Sequence, residues 1–134
     1  MARATAHIAQ DRYATAIHVA GRDLIADEPA DNGGQDTGLA PYDLLLASLS
    51  ACTAITLRMY ADHKGWPLEA ADVALHFRRD DTGAEFIDRK IAFAGPLDDA
   101  QVRRLLEVCE RTPVTKTLKQ GLTITTTLQP APEA

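Results

Sequence analysis

No cluster of Lys and Arg interrupts this chain, and its formal net charge is −5. Nucleic-acid binding draws its affinity from grouped cations, so no nucleic-acid partner is expected. Cysteine is scarce too. Cys52 and Cys109 stand in neither a CxxC step nor a Cys/His array of zinc spacing. That argues against a structural metal and against a disulfide framework, and no metal or cofactor is expected. Met1–Gln10 is short, mixed and not continuously apolar, unlike a secretory signal. Two cysteines without such a signal read as reduced thiols of a cytoplasmic protein. No serine lies in a GxSxG elbow. The glycines of the polar stretch Asp27–Ala40 fit neither GxGxxG nor GxxxxGK[ST], which argues against a phosphate cradle. Internal repeats and low-complexity segments are also missing. A length of 134 residues suits one domain with a true core, spanning residues 1–134 and ending in a frayed tail from about Pro130 to Ala134.

What the chain does have is one long apolar run, Pro41–Gly65. Pro41 suits a first helical position, Asp43 a first turn and Gly65 a helix stop. Between them Leu44, Leu45, Leu46, Leu49, Cys52, Ile55, Leu57 and Met59 cover most of the circumference, the pattern of a helix buried on most sides. A membrane span is not expected. The uncharged part, Leu44–Leu57, falls short of ~20 residues and carries Ser48, Ser50, Thr53 and Thr56.

Strand periodicity precedes this run. Tyr13, Thr15, Ile17 and Val19 alternate with Ala14, Ala16 and His18, between a weaker strand at Thr5–Ala9 and a short one at Leu24–Ala26. Gln10-Asp11-Arg12 and Gly21-Arg22-Asp23 read as turns, giving a three-strand meander. After the run, Val73, Leu75 and Phe77, then Ile87, Ile91 and Phe93, mark two strands about an Asp80–Gly83 turn. Asp98 and Gln101 resemble a capping box before the apolar stripe Val102, Leu105, Leu106 and Cys109. Thr112-Pro113 signals another helix start, and Leu122, Ile124 and Leu128 alternate as a closing strand. The order βββ–α–ββ–α–α–β indicates an α+β fold with mainly antiparallel sheet.

Cys52 is the residue on which function turns. A free cysteine in a helix is ordinarily a small buried hydrophobe. To react, it needs a cation, a helix N-terminus or a hydrogen-bond donor that favours its thiolate. It lies too far along its own helix to feel that helix's dipole, so help must come from elsewhere. His63 falls roughly 16 Å along the same helix, out of reach. His7, His18 and His76 occupy the polar side of strands, and Cys109 sits on an apolar stripe.

The segments Gly38–Cys52, Leu57–Leu68, Leu24–Pro29 and Thr112–Leu118 together resemble the OsmC/Ohr family, on its OsmC-like, YhfA-type branch. The likeness covers nearly the whole chain in order. It implies an intertwined homodimer whose two central helices pack together at the core, which suits a helix apolar all round. It also implies a thiol peroxidase that reduces hydroperoxides. A cysteine matching Cys52 attacks the peroxide and becomes a sulfenic acid, and a second cysteine or an external dithiol reductant resolves it. The family's thiolate-steadying arginine of the first β-turn matches Arg12, with Arg22 as second choice. Two positions depart from that pattern. Thr112 stands where the peroxidases carry the second cysteine, leaving Cys109, three residues earlier, to resolve if it reaches. Tyr42 stands where the carboxylate partner of the arginine is found. These departures leave a second expectation open: a non-catalytic OsmC-like dimer that binds a small apolar ligand or a partner.

Overall fold

The computed structural model describes residues 1–130, so most of the expected tail, residues 131–134, lies outside the described residues. The chain is a mixed α+β fold of two small antiparallel sheets and three helices. Strands β1 (Ala4–His7), β2 (Thr15–Val19) and β3 (Arg22–Ala26) form the expected meander, in the order β1-β2-β3. Ala20 and Gly21, with φ of 53° and 72°, make the tight β2–β3 hairpin. The first connection is longer than a tight turn and carries Arg12 in its exposed part.

The polar stretch after β3 is organised around the buried Asp27. Its carboxylate accepts from the Thr37 hydroxyl at 2.5 Å and from the amides of Thr37, Tyr13 and Glu28 at 3.1, 3.0 and 2.7 Å. The Thr37 hydroxyl, then these amides, hold the carboxyl well below the usual carboxylate range against the opposing effect of burial. Gly38 lets this loop return along β3: a Cβ there would fall 2.0 Å from the Ile25 carbonyl oxygen. Ala26 and Leu39 form a parallel bridge at that point.

Helix α1 (Pro41–Lys64) follows. The Asp43 carboxylate accepts from the Ala40 amide at 3.1 Å, and Gly65 closes the helix at φ 68°. A single row, Leu49, Thr53, Leu57 and Ala61, is buried in the chain. Leu44, Leu45, Leu46 and Cys52 are half-buried, whereas Ile55 and Met59 are 54% and 67% exposed. By length and composition α1 is apolar enough to cross a membrane. Its buried row, however, packs on β4 (Ala70–Arg79), α2 (Asp99–Cys109) and α3 (Pro113–Gln120), as the core helix of a globular domain does.

Strands β4 and β5 (Glu85–Ala94) form the second sheet, with Leu75 opposite Arg89 and Val73 opposite Ile91. The expected capping box opens α2: the Gln101 amide donates to Asp98 at 2.7 Å and the Asp98 amide to Gln101 at 3.0 Å. Leu57, Leu105, Val108 and Cys109 make the core between α1 and α2. Residues 121–130, expected to close the fold as a strand, carry no secondary structure, and Leu122, Ile124 and Leu128 are exposed. A strand exists only where a neighbour completes its ladder, and among the described residues no strand pairs with this segment.

Candidate functional site

The side chains with chemical potential meet where α1, β5 and the α2–α3 junction converge. Thr112 caps α3 and Pro113 occupies its first turn, as expected. A capping threonine ordinarily accepts an amide of the first turn. Here the Thr112 hydroxyl is bonded instead to the Thr115 hydroxyl at 2.6 Å, and both residues are buried. The Val114 amide, one of the orphan donors of the helix start, is left to another partner. It donates to Cys52 Sγ at 3.5 Å. The helix-end donor that α1 cannot offer its own cysteine is therefore supplied by α3.

Cys52 is half-buried and Cys109 is buried; both are free thiols. Cys109 is the last residue of α2 and packs among Leu57, Leu105 and Val108. Burial pushes its thiol up, with only partial opposition from the nearby Arg89 charge. The structure does not join Cys109 to Cys52 through any hydrogen bond or disulfide among the described residues. Arg12 is exposed, and no hydrogen bond or ion pair among the described residues links it to either cysteine. Tyr42, at the first turn of α1, stacks on Phe77 with ring centroids 4.7 Å apart.

Arg89 was not singled out in the sequence. Its guanidinium donates through one nitrogen to Thr53 Oγ1 at 3.0 Å and Thr115 Oγ1 at 2.9 Å, and through the other to the Cys109 carbonyl at 2.8 Å. The Glu110 carboxylate, itself paired with Lys119, lies 3.6 Å away. The side chain is only 13% exposed. The signal was in the strand pattern: Ile87, Arg89, Ile91 and Phe93 occupy one face of β5, so an arginine stands where the alternation asks for an apolar residue.

An open cavity of about 830 Å³ adjoins this cluster, lined by Leu49, Phe77, Ile87, Arg89, Leu106 and Thr115 among others; Cys52 is not one of its lining residues. Among the described residues no cluster of His, Cys, Asp and Glu has a metal-holding arrangement.

A search of curated protein sequences finds no match. Solved structures match well. The OsmC like protein from Mycoplasma pneumoniae superposes with a TM-score of 0.74 at 18% identity, over 89% of this chain and 87% of that one. An organic hydroperoxide resistance protein OsmC from Legionella pneumophila gives 0.64 at 19%, over 89% of each chain. The organic hydroperoxide resistance protein OhrB of Bacillus subtilis gives 0.61 at 21%, over 89% and 90%. At these identities the likeness establishes the fold. The family profile described as OsmC-like protein spans residues 33–127, covering α1 with Cys52, the second sheet and both later helices. The chain belongs to the OsmC-like family.

Proposed function

We propose that this protein is a cytoplasmic, thiol-dependent peroxidase that reduces hydroperoxides through Cys52 and works as a homodimer. The observation that carries the reading is the Val114 amide aimed at the half-buried Cys52 sulfur. A donor so placed gives an attacking sulfur a hydrogen-bond partner. Membership of the OsmC-like family and the hydroperoxide-resistance proteins among its structural neighbours support the same chemistry.

The Cys52 thiolate attacks the terminal oxygen of ROOH. The S–O bond forms as the O–O bond breaks, and the departing alkoxide takes a proton to become ROH. Cys52 is left as a sulfenic acid. An external dithiol then attacks that sulfur, releasing water and forming a mixed disulfide. Its second thiol completes the exchange, so the dithiol is oxidised and Cys52 is restored. We assign resolution to the external dithiol, because Cys109 is buried with its thiol pushed up and Thr112 fills the position of the family's second cysteine. On the family resemblance alone, Arg12, which is not joined to Cys52 among the described residues, is assigned to orient the peroxide. The uncovered apolar positions of α1, Ile55 and Met59, and the unpaired alternating segment Leu122–Leu128 support a second copy as the partner that completes the fold. The large cavity favours a second reading, in which the dimer binds a small apolar ligand beside Arg89 without turnover. Peroxide consumption by the wild type, Cys52→Ser and Cys109→Ser separates the two readings.

A further inference from the structure

Arg89 spends all its contacts on protein groups. Both donors of one nitrogen are taken by the Thr53 and Thr115 hydroxyls, and the other nitrogen serves the Cys109 carbonyl and Glu110. Both terminal nitrogens are therefore committed to protein groups. Two of the three hydrogen-bond partners of Arg89 are the immediate sequence neighbours of Cys52 and Val114. Thr53 follows Cys52, and Thr115 follows Val114. Thr53 is further locked by donating to the Leu49 carbonyl at 2.7 Å. Thr115, bonded by Arg89, in turn engages the Thr112 hydroxyl. That engagement keeps the capping hydroxyl from the first-turn amides, the role it would otherwise take.

We propose that Arg89 is a positioning residue for Cys52: its guanidinium fork ties α1 to α3 and, through Thr115 and Thr112, leaves the Val114 amide free for the Cys52 sulfur. A lysine cannot replace it, because one ammonium on a flexible stem does not hold two hydroxyls and a carbonyl in a fixed plane. The proposal rests on Cys52 being the reactive thiol, but its test does not require turnover. The readout is the rate of Cys52 alkylation by iodoacetamide as a function of pH, followed by peptide mass in the full chain. In Arg89→Met and Arg89→Lys, the rate of Cys52 alkylation at neutral pH falls about tenfold.

Thr115→Val keeps the arginine and removes the link to α3; it produces the same fall in rate. Where the Arg89 variants do not fold, Thr115→Val gives the answer alone. Folded variants whose Cys52 profile matches the wild type would overturn the proposal. So would full restoration by Arg89→Lys, because the arginine would then act by charge alone. A wild type that alkylates normally but consumes no peroxide would defeat the peroxidase reading and leave the positioning role intact.

Discussion

Alkylation of the native protein should separate its two thiols by orders of magnitude. Cys109 is 3% exposed and packs with Leu57 and Leu105, both fully buried, at the end of α2. Its carbonyl is also held by Arg89 at 2.8 Å. Iodoacetamide reaches the sulfur only when that end of α2 leaves α1. Exposing two fully buried leucines costs about 2–3 kcal/mol each, so the opening costs about 5 kcal/mol before Val108 is counted. At about 1.4 kcal/mol per tenfold, the open form is populated roughly once in several thousand molecules. Labelling of Cys109 is slowed by about that factor relative to Cys52. Timed quenching followed by peptide mass gives both rates, and denaturant should erase the difference. If Cys109 in the folded protein were labelled within about tenfold of Cys52, the buried-thiol argument would be wrong. Resolution by Cys109 would then return as the better account.

The dimer has its own test. Ile55→Asp or Met59→Asp places a charge on the uncovered side of α1, where it costs nothing in an isolated chain but opposes burial against a second helix. Light scattering on the eluting protein should report twice the chain mass for the wild type and one chain mass, or aggregation, for the variants; a wild-type monomer at working concentration rejects the partner. Asp27 gives a pH prediction. Its carboxyl is depressed in the folded state, so its stabilisation is present in full above the unfolded carboxyl value of about 4 and is lost progressively as the pH falls below it. The Tm advantage of the wild type over Asp27→Asn should therefore be constant from pH 7 to 5 and shrink toward pH 3; an advantage unchanged at pH 3 contradicts the loop's dependence on the ionised form.

Much of the fold was legible because its signals are local. The Asp98–Gln101 box, Pro41 with Asp43, the Gly65 stop and the period-two strands each depend on residues within a turn or two of one another. Two features were not local. The apolar circumference of α1 was read as burial on most sides, yet the chain alone covers one row of it. Likewise Leu122–Leu128 alternates as a strand but finds no ladder among the described residues. Both readings concern faces left uncovered among the described residues. At the site, Cys52 stood out because a thiol in an apolar helix is a short question to pose. The donor that answers it, the Val114 amide, is a backbone group with no sequence signature, brought across 62 residues by tertiary packing. Arg89 did leave a signature, an arginine in an inward strand position, but alternation of its apolar neighbours drew attention past it. Thr112 illustrates a finer limit: the cap was correctly placed, while its hydroxyl bonds another side chain rather than the backbone.

The central claim is that Cys52 carries hydroperoxide reduction without help from Cys109. Steady-state consumption of an organic hydroperoxide with a dithiol reductant, measured on the wild type, Cys52→Ser and Cys109→Ser, tests it most directly. The wild type should turn over, Cys109→Ser should do so within about twofold of it, and Cys52→Ser should not exceed the uncatalysed rate. Equal rates from all three proteins, or no turnover by any of them, would contradict it.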